Sequence, residues 1–520
     1  MKLHITLMLL WWQTKTVQRS HYDSSYMAAV VEYSPIIYSM DNQNLGQLNA
    51  ENYLKIIDKA ASYAIDIIVF PESSLTISSY KNVTFTRSHL ASYIPDPVDN
   101  IIPCIDKSRP YEYSFRSMSC AARDYQIYVL VNHREKVDCT PGNGCPNDGL
   151  LIYNTNVAFD RNGKVIARYR KYHLFHEVGV NRTKSIPTAF TTDFGVTFGT
   201  FICFDIQFPT PALTLIRDLA VTDILYPTHW FNLSPFLFAT EIQASFAYGT
   251  DINLLASGIS RPDTDNTGSG IYLGKQGYID VISKNKRSNI LLVAEIPKVI
   301  KGQRTRSIDR SKVHVYEFTK EEISTEETVI LKEHYKVDPF LKLFSTELIN
   351  LNDKSQSKTV CDRSFCCDFE LTIDFDQSSI TNGSQYYRYR FGAVNKTQYE
   401  EYLGLEGINS CAIIACANDT KDSCGIIFHN NKKTITPITF TSLKISTPNI
   451  TNDNIFVLPS TYSQKMIPFN ATDFSLGSLD FGNVSTYQLQ LKKPKNNILA
   501  FAIFGRYSDL DRQVNLNSVV

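Results

Sequence analysis

From about Tyr26 to Pro297 the apolar positions switch repeatedly between a short period and a helical one. "MAAVVEYSP" reads as a strand. "NAENYLKIIDKAASYAI" places Leu54, Ile57, Ala61 and Ala64 on one face at helical spacing, and "DIIVFPE" follows as a short buried strand. "SFRSMSCAARDYQ" reads as helix and "IYVLVNH" as strand. "YNTNVAFDRNGKVIARYRKYHLF" predicts two strands joined by the turn Arg161-Asn162-Gly163. "TPALTLIRDLAV" is helical, "TDILYPTHW" a strand, "PFLFATEIQASFAYGTD" a helix, and "NLLASGIS" closes the series. Alternation of this kind predicts an α/β fold with strands sandwiched by helices.

Beyond Lys298 the pattern changes. "KGQRTRSIDRSK" (301–312) is a charged connector, and short β-like runs such as "TITPITFTSLKIS" follow among clustered cysteines. A second, mainly β, disulfide-rich C-terminal domain is expected over 313–520, after an α/β domain over 26–300.

The N-terminus and the cysteines add a compartment. "MKLHITLMLLWW" is apolar but too short to span a bilayer, and polar residues follow at once. Residues 1–20 therefore read as a secretory signal. No later stretch has transmembrane character, and the tail "GRYSDLDRQVNLNSVV" lacks the apolar end of a lipid-anchor signal. Sequons at Asn82, Asn181, Asn382, Asn395, Asn418, Asn449, Asn470 and Asn483 are candidate glycosylation sites on a secreted, extracellular chain; Asn232, in the apolar "HWFNLSP", is not expected to be modified. An exported chain pairs most of its cysteines, and eleven leave one over. Ten lie in turn-rich or clustered contexts. Cys203, alone in the apolar strand "TFGTFICFDIQF", is the natural leftover.

Charge is informative mainly by exclusion. Lys+Arg 52 balances Asp+Glu 52 over 520 residues, which argues against a nucleic-acid or polybasic membrane partner.

Three polar residues end apolar strands: Glu72, Lys171 and Cys203. Strand ends of an α/β sheet converge on one crevice. There a carboxylate can take the thiol proton, an ammonium can lower the thiol pKa and stabilise an oxyanion, and the thiolate can attack a carbonyl. Bland readings exist for each. Cys203 could be a packed thiol, Glu72 a helix cap, and Lys171 part of a solvated run with Arg168 and Arg170. Strand alternation answers the last, because it puts both arginines on the face opposite Lys171. A papain-like site would need a histidine partner, and His173 and His176 come without protease context around Cys203. "CDRSFCC" has no second ligand pair at metal spacing, and no metal is expected.

The ordered set "FPE", "RYRK-x-x-LF" and "CFD" resembles the nitrilase superfamily of carbon–nitrogen hydrolases. "IPDPVDNIIPC", "GSGIY", "VCDRSFCC" and "SCAIIACANDTKDSCG" resemble its vanin and biotinidase branch, over nearly the whole chain after the signal. The resemblance implies a nitrilase-type four-layer αββα sandwich. It implies Glu72 as general base and acid, Lys171 as oxyanion stabiliser, Cys203 as nucleophile and Glu177 as a supporting carboxylate. Trp230 and His229 would line the substrate pocket, and no cofactor is needed. The implied substrate is a small secondary amide, pantetheine first, giving pantothenate and cysteamine. Biocytin is the near alternative, and a non-catalytic secreted glycoprotein is the alternative of another class. Ser73-Ser74 stand where the family has Asp-Gly, "DIQFPTPA" replaces a stretch with an acidic residue before the proline, and His229 stands where alanine is usual.

Overall fold

The computed structural model describes residues 19–37, 45–77, 86–142, 144–324, 335–400, 404–428, 433–451 and 455–507. The proposed signal lies outside them except for Arg19 and Ser20.

Strand β1 (Ser25–Glu32) is buried on both faces. Tyr26, Ala28 and Val30 enter one apolar cluster and Met27, Ala29 and Val31 another. A strand with two cores belongs inside a layered sheet. It sits in a seven-stranded sheet with β2 (Ile67–Val69), β3 (Tyr128–Asp138), β4 (Leu150–Phe159), β5 (Val165–Arg170), and the later strands Ile290–Pro297 and His314–Glu317. The hairpin β4–β5 turns at Arg161-Asn162-Gly163, as expected. A six-stranded sheet holds β6 (Thr188–Thr191), β7 (Thr197–Thr200), β8 (Asp223–Thr228), Asn253–Gly258, Ser269–Leu273 and Tyr278–Ile282.

One cluster joins the facing sides of the two sheets, with Val30 and Val69 from one and Phe198, Leu225 and Leu255 from the other. The outer side of the first sheet packs on helices α1 (Leu45–Ala61) and α2 (Tyr113–Tyr125). The outer side of the second packs on α3 (Ala239–Thr250). The layers run α, β, β, α.

Four details depart from the sequence reading. The buried stripe of α1 is Ala50, Tyr53, Ile56, Ile57 and Ala60, with Asn49 and Asn52; of the expected face Ile57 is buried, while Leu54, Ala61 and Ala64 are half-buried. Asn49 can be buried because it bonds Tyr33, Ile36 and Leu45. Residues 209–217 form a kinked π-type turn and a single α-turn, because Pro211 forces Thr210 extended (φ −112°, ψ 124°). Four more strands of these two sheets follow Asn253–Gly258, so that strand does not close the series. His314–Glu317, assigned from sequence to the second domain, pairs with Ile290–Pro297 in the first.

The remaining chain forms a five-stranded and a six-stranded antiparallel sheet around one cluster that includes Phe369, Phe391, Phe440 and Phe501. Cys367–Cys411 ties the two sheets together. Cys361–Cys366, Cys416–Cys424, Cys104–Cys120 and Cys139–Cys145 complete the disulfides, and Cys203 is the free thiol.

The strand Ile455–Ser463 docks on α3. Ser245 donates to the Pro459 carbonyl (2.6 Å), the Thr240 and Tyr462 hydroxyls are 3.0 Å apart, and Phe246 meets Phe456 edge-on. A Cβ at Gly249 would stand 2.5 Å from Leu458 Cδ2, so any larger residue there would require the Leu458 side chain to move. Glu241 is buried in the same contact and accepts from Ser460. Burial pushes its carboxyl up to about 8, against the hydrogen bonds from Ser460 and the Phe238 N–H, with Asp338 adding to the rise. A carboxyl raised on folding binds its proton in the folded state where the unfolded state has lost it. Its contribution to stability therefore falls as pH rises from about 4.3 toward about 8. Glu241→Gln is expected to raise Tm at pH 8 and flatten its fall between pH 5 and 8; an unaltered pH profile would refute the assignment.

Candidate active site

Glu72 follows β2 after Phe70-Pro71. Ser73, with φ 58°, turns the chain there, its N–H donating to Asn132 Oδ1 (2.7 Å). Lys171 is the first residue beyond β5, where the alternation that exposes part of Arg168 and Arg170 turns its side chain inward. Both arginines pair with Glu135 instead. Cys203 is not inside a strand. β7 ends at Thr200, and Cys203 opens a tight turn over Cys203–Gln207 with φ 46°, a strained left-handed conformation for a non-glycine residue. The turn is held by Asp205, which accepts from Ile202 N (3.1 Å), His173 N (3.0 Å) and Tyr169 Oη (2.7 Å). Tyr226 Oη donates to the Cys203 carbonyl (2.8 Å).

These segments meet at a cavity of about 130 Å³ that Glu72, Lys171 and Cys203 all line. The three residues are 3%, 2% and 5% exposed, so their charges act on one another with little screening. Lys171 Nζ donates to Glu72 Oε1 (2.8 Å) and Glu177 Oε1 (2.6 Å). Asn154 Nδ2 donates to Glu72 Oε1 and Glu177 Oε2, both at 2.8 Å. Arg134 Nη1 adds a 3.0 Å bond to Glu177 Oε2, and the His229 N–H donates to Glu72 Oε2 (2.8 Å). Two carboxylates are thus balanced by two cations.

Burial alone would strip the proton from Lys171, but Glu177 and Glu72 outweigh it and hold its pKa above the usual lysine value. Burial would raise Glu177, yet Lys171 and Arg134 outweigh that and hold its carboxyl down at about 2. The thiol goes the other way from the sequence expectation. Burial pushes Cys203 well above its ordinary value, Glu72 adds to the rise, and Lys171 only partly opposes it. A thiol in this setting rests protonated, so its activation needs a base at the moment of attack.

The structure brings Glu72, Lys171, Glu177 and Cys203 together and places His229 at the cavity. Trp230 is elsewhere. It is 7% exposed, donates from Nε1 to the Leu237 carbonyl (2.8 Å) and packs in the core beneath α3, while Phe231 lines the cavity in its stead. Ile77, Ile152, Phe175, Val178 and Val180 supply the apolar wall. Sequence reasoning missed Asn154, Arg134, Asn132 and Asp205. Asparagines inside the apolar runs "YVLVNH" and "YNTNVAF" were the available signal, since a buried amide needs a reason to be there.

Among the sequons, Asn382, Asn418, Asn449 and Asn483 are exposed, and Asn181, Asn395 and Asn470 half-buried; Asn82 lies outside the described residues. Asn232 is buried, with its side chain bonded to Thr267 and Ala239.

A layered α/β fold with a Glu–Lys–Cys cavity defines a class, and the comparisons agree with it: residues 27–238 match the carbon–nitrogen hydrolase family and residues 333–511 the vanin C-terminal domain. Vanin-like protein 1 of Drosophila melanogaster is 34% identical over 500 residues, covering 93% of this chain and 86% of that one. Human pantetheinase is 30% identical over 428 residues, covering 79% and 77%. Among solved structures, Nit3 of Saccharomyces cerevisiae, a member of branch 10 of the nitrilase superfamily, aligns at 19% identity over 54% of this chain and 93% of that one, with a TM-score of 0.41. The chain is a carbon–nitrogen hydrolase, acting on amide bonds other than peptide bonds. Within that class it belongs to the vanin family.

Proposed function

We propose that the protein hydrolyses the linear amide of pantetheine to pantothenate and cysteamine through a thioester on Cys203. The observation that carries this reading is the unpaired thiol sharing one cavity with a Lys171-bonded Glu72. The choice of pantetheine rests on the relatives that bear the name pantetheinase. Glu72 takes the thiol proton as sulfur attacks the amide carbon. The Lys171 ammonium stabilises the developing oxyanion, with Glu177 and Asn154 fixing its direction. The protonated Glu72 hands its proton to the departing amine, which breaks the carbon–nitrogen bond. Water then attacks the thioester, Glu72 takes the water's proton and passes it to the departing sulfur, and the acid leaves with the Cys203 thiol and the Glu72 carboxylate restored.

Export is part of the same proposal, supported by five disulfides and exposed sequons. Protein collected from the medium of a secreting host, and lighter after N-glycosidase treatment, should release cysteamine from pantetheine. Release of lysine from biocytin alone would move the assignment to the biotinidase-like alternative. Inactivity on both, and on a panel of small amides, would leave a binding module. Retention in the cell without a mass change would remove export.

A further inference from the structure

Arg506 lies in the second domain, on the strand Ile498–Tyr507, and is 3% exposed. Its Nη1 donates to the carbonyls of Gly407 (3.3 Å) and Tyr507 (3.1 Å). Its guanidinium also stands 5.2 Å from the ring centroid of Phe208, which belongs to the first domain and closes the turn that starts at Cys203. The His173 ring, two residues beyond Lys171, stacks on Phe208 at 3.6 Å and 4°. His173 is itself pinned to the cysteine turn, through its N–H to Asp205 Oδ1 (3.0 Å) and its Nε2 to the Thr210 carbonyl (2.8 Å). A carbonyl only accepts, so Nε2 carries the proton.

The rings continue to the cavity. Phe208 meets Phe204 at 5.1 Å, Phe204 meets Phe175 at 5.2 Å, and Phe175 meets Phe231 at 5.8 Å. Phe175 and Phe231 are cavity wall. Burial, with Arg506 and Lys171 contributing, pulls His173 down to about 4, so the stacked imidazole is neutral beside the guanidinium. A desolvated cation over an aromatic ring is a directional contact, and here it bridges domains at the junction of the two segments that present Lys171 and Cys203.

We propose that Arg506 is a positioning residue for the hydrolysis: through the Phe208–His173 stack, the second domain holds the lysine and cysteine segments in register and fixes the aromatic cavity wall. The C-terminal domain is then a working part of the active site. This rests on the amidohydrolase reading for its turnover assay, and the alkylation of Cys203 by iodoacetamide supplies a readout that needs no substrate.

Arg506→Met is expected to slow both alkylation and kcat/KM by up to roughly thirtyfold, the equilibrium equivalent of a desolvated cation–π contact. Arg506→Lys, which keeps a cation, should retain most of both rates. Phe208→Leu should reproduce the loss from the first-domain side. The double variant should lose no more than either single one, since both cut the same link. Wild-type rates in the single variants, losses that multiply, or losses that follow a falling Tm would overturn the proposal. Should Arg506→Met fail to fold, a wild-type alkylation rate in Phe208→Leu overturns it alone. If the wild type does not cleave pantetheine, the substrate assignment falls and the alkylation comparison still decides this one.

Discussion

Cys203→Ala is expected to abolish amide turnover and leave the fold intact, while Glu72→Gln is expected to reduce kcat/KM by about 10²–10⁴, the range of general acid–base catalysis. The reasoning starts from the state of the sulfur. Burial and the Glu72 charge keep the thiol protonated, so Lys171 does not by itself provide a standing thiolate. Glu72 is needed in both half-reactions, moving the thiol proton to the amine in the first and the water proton to the sulfur in the second. Replacing it with glutamine removes the base but also removes the negative charge that raises the thiol. The alkylation-versus-pH curve of Glu72→Gln should therefore shift to lower pH even as turnover collapses. Kinetics of amine release and iodoacetamide labelling measure the two effects separately. A curve that shifts upward, or stays in place, would mean that Glu72 does not act on the sulfur.

Lys171→Met is expected to cost about 3–5 kcal/mol of stability, because it leaves buried carboxylates short of a counter-charge. It is also expected to lower turnover by at least about 10²–10³, the value of a removed oxyanion donor. Glu72 and Glu177 share the ammonium at 2.8 and 2.6 Å, and Arg134 reaches only Glu177. Glu177, held at about 2, gives its stabilisation in full above the unfolded value of about 4.3 and loses it as pH falls toward about 2. Adding Glu177→Gln to Lys171→Met should recover much of the lost Tm and none of the activity. Thermal melts and turnover of the three proteins test this; an unchanged Tm in Lys171→Met would show that the site does not depend on the ammonium for its charge balance.

Much of this site was legible in the chain because its signals are local. Glu72 and Lys171 each stand where an apolar strand gives out, and period-two alternation sends Lys171 inward. The odd cysteine count singled out Cys203 before any pairing was known. Trp230 failed as a pocket residue because an aromatic beside an apolar strand fits the core as readily as a cavity. Its indole N–H found Leu237.

The residue types and their order along the chain determined the two strand-and-helix regimes, the leftover thiol and the acid, amine and sulfur of the cavity. Only the tertiary structure decided that Asn154 and Arg134 complete the charge network, that His314–Glu317 returns to the first sheet, and that Arg506 reaches Phe208. It also set the direction of the thiol's pKa. The physical reason is that desolvation and Coulomb energy depend on distance in space, and strands far apart in sequence set those distances.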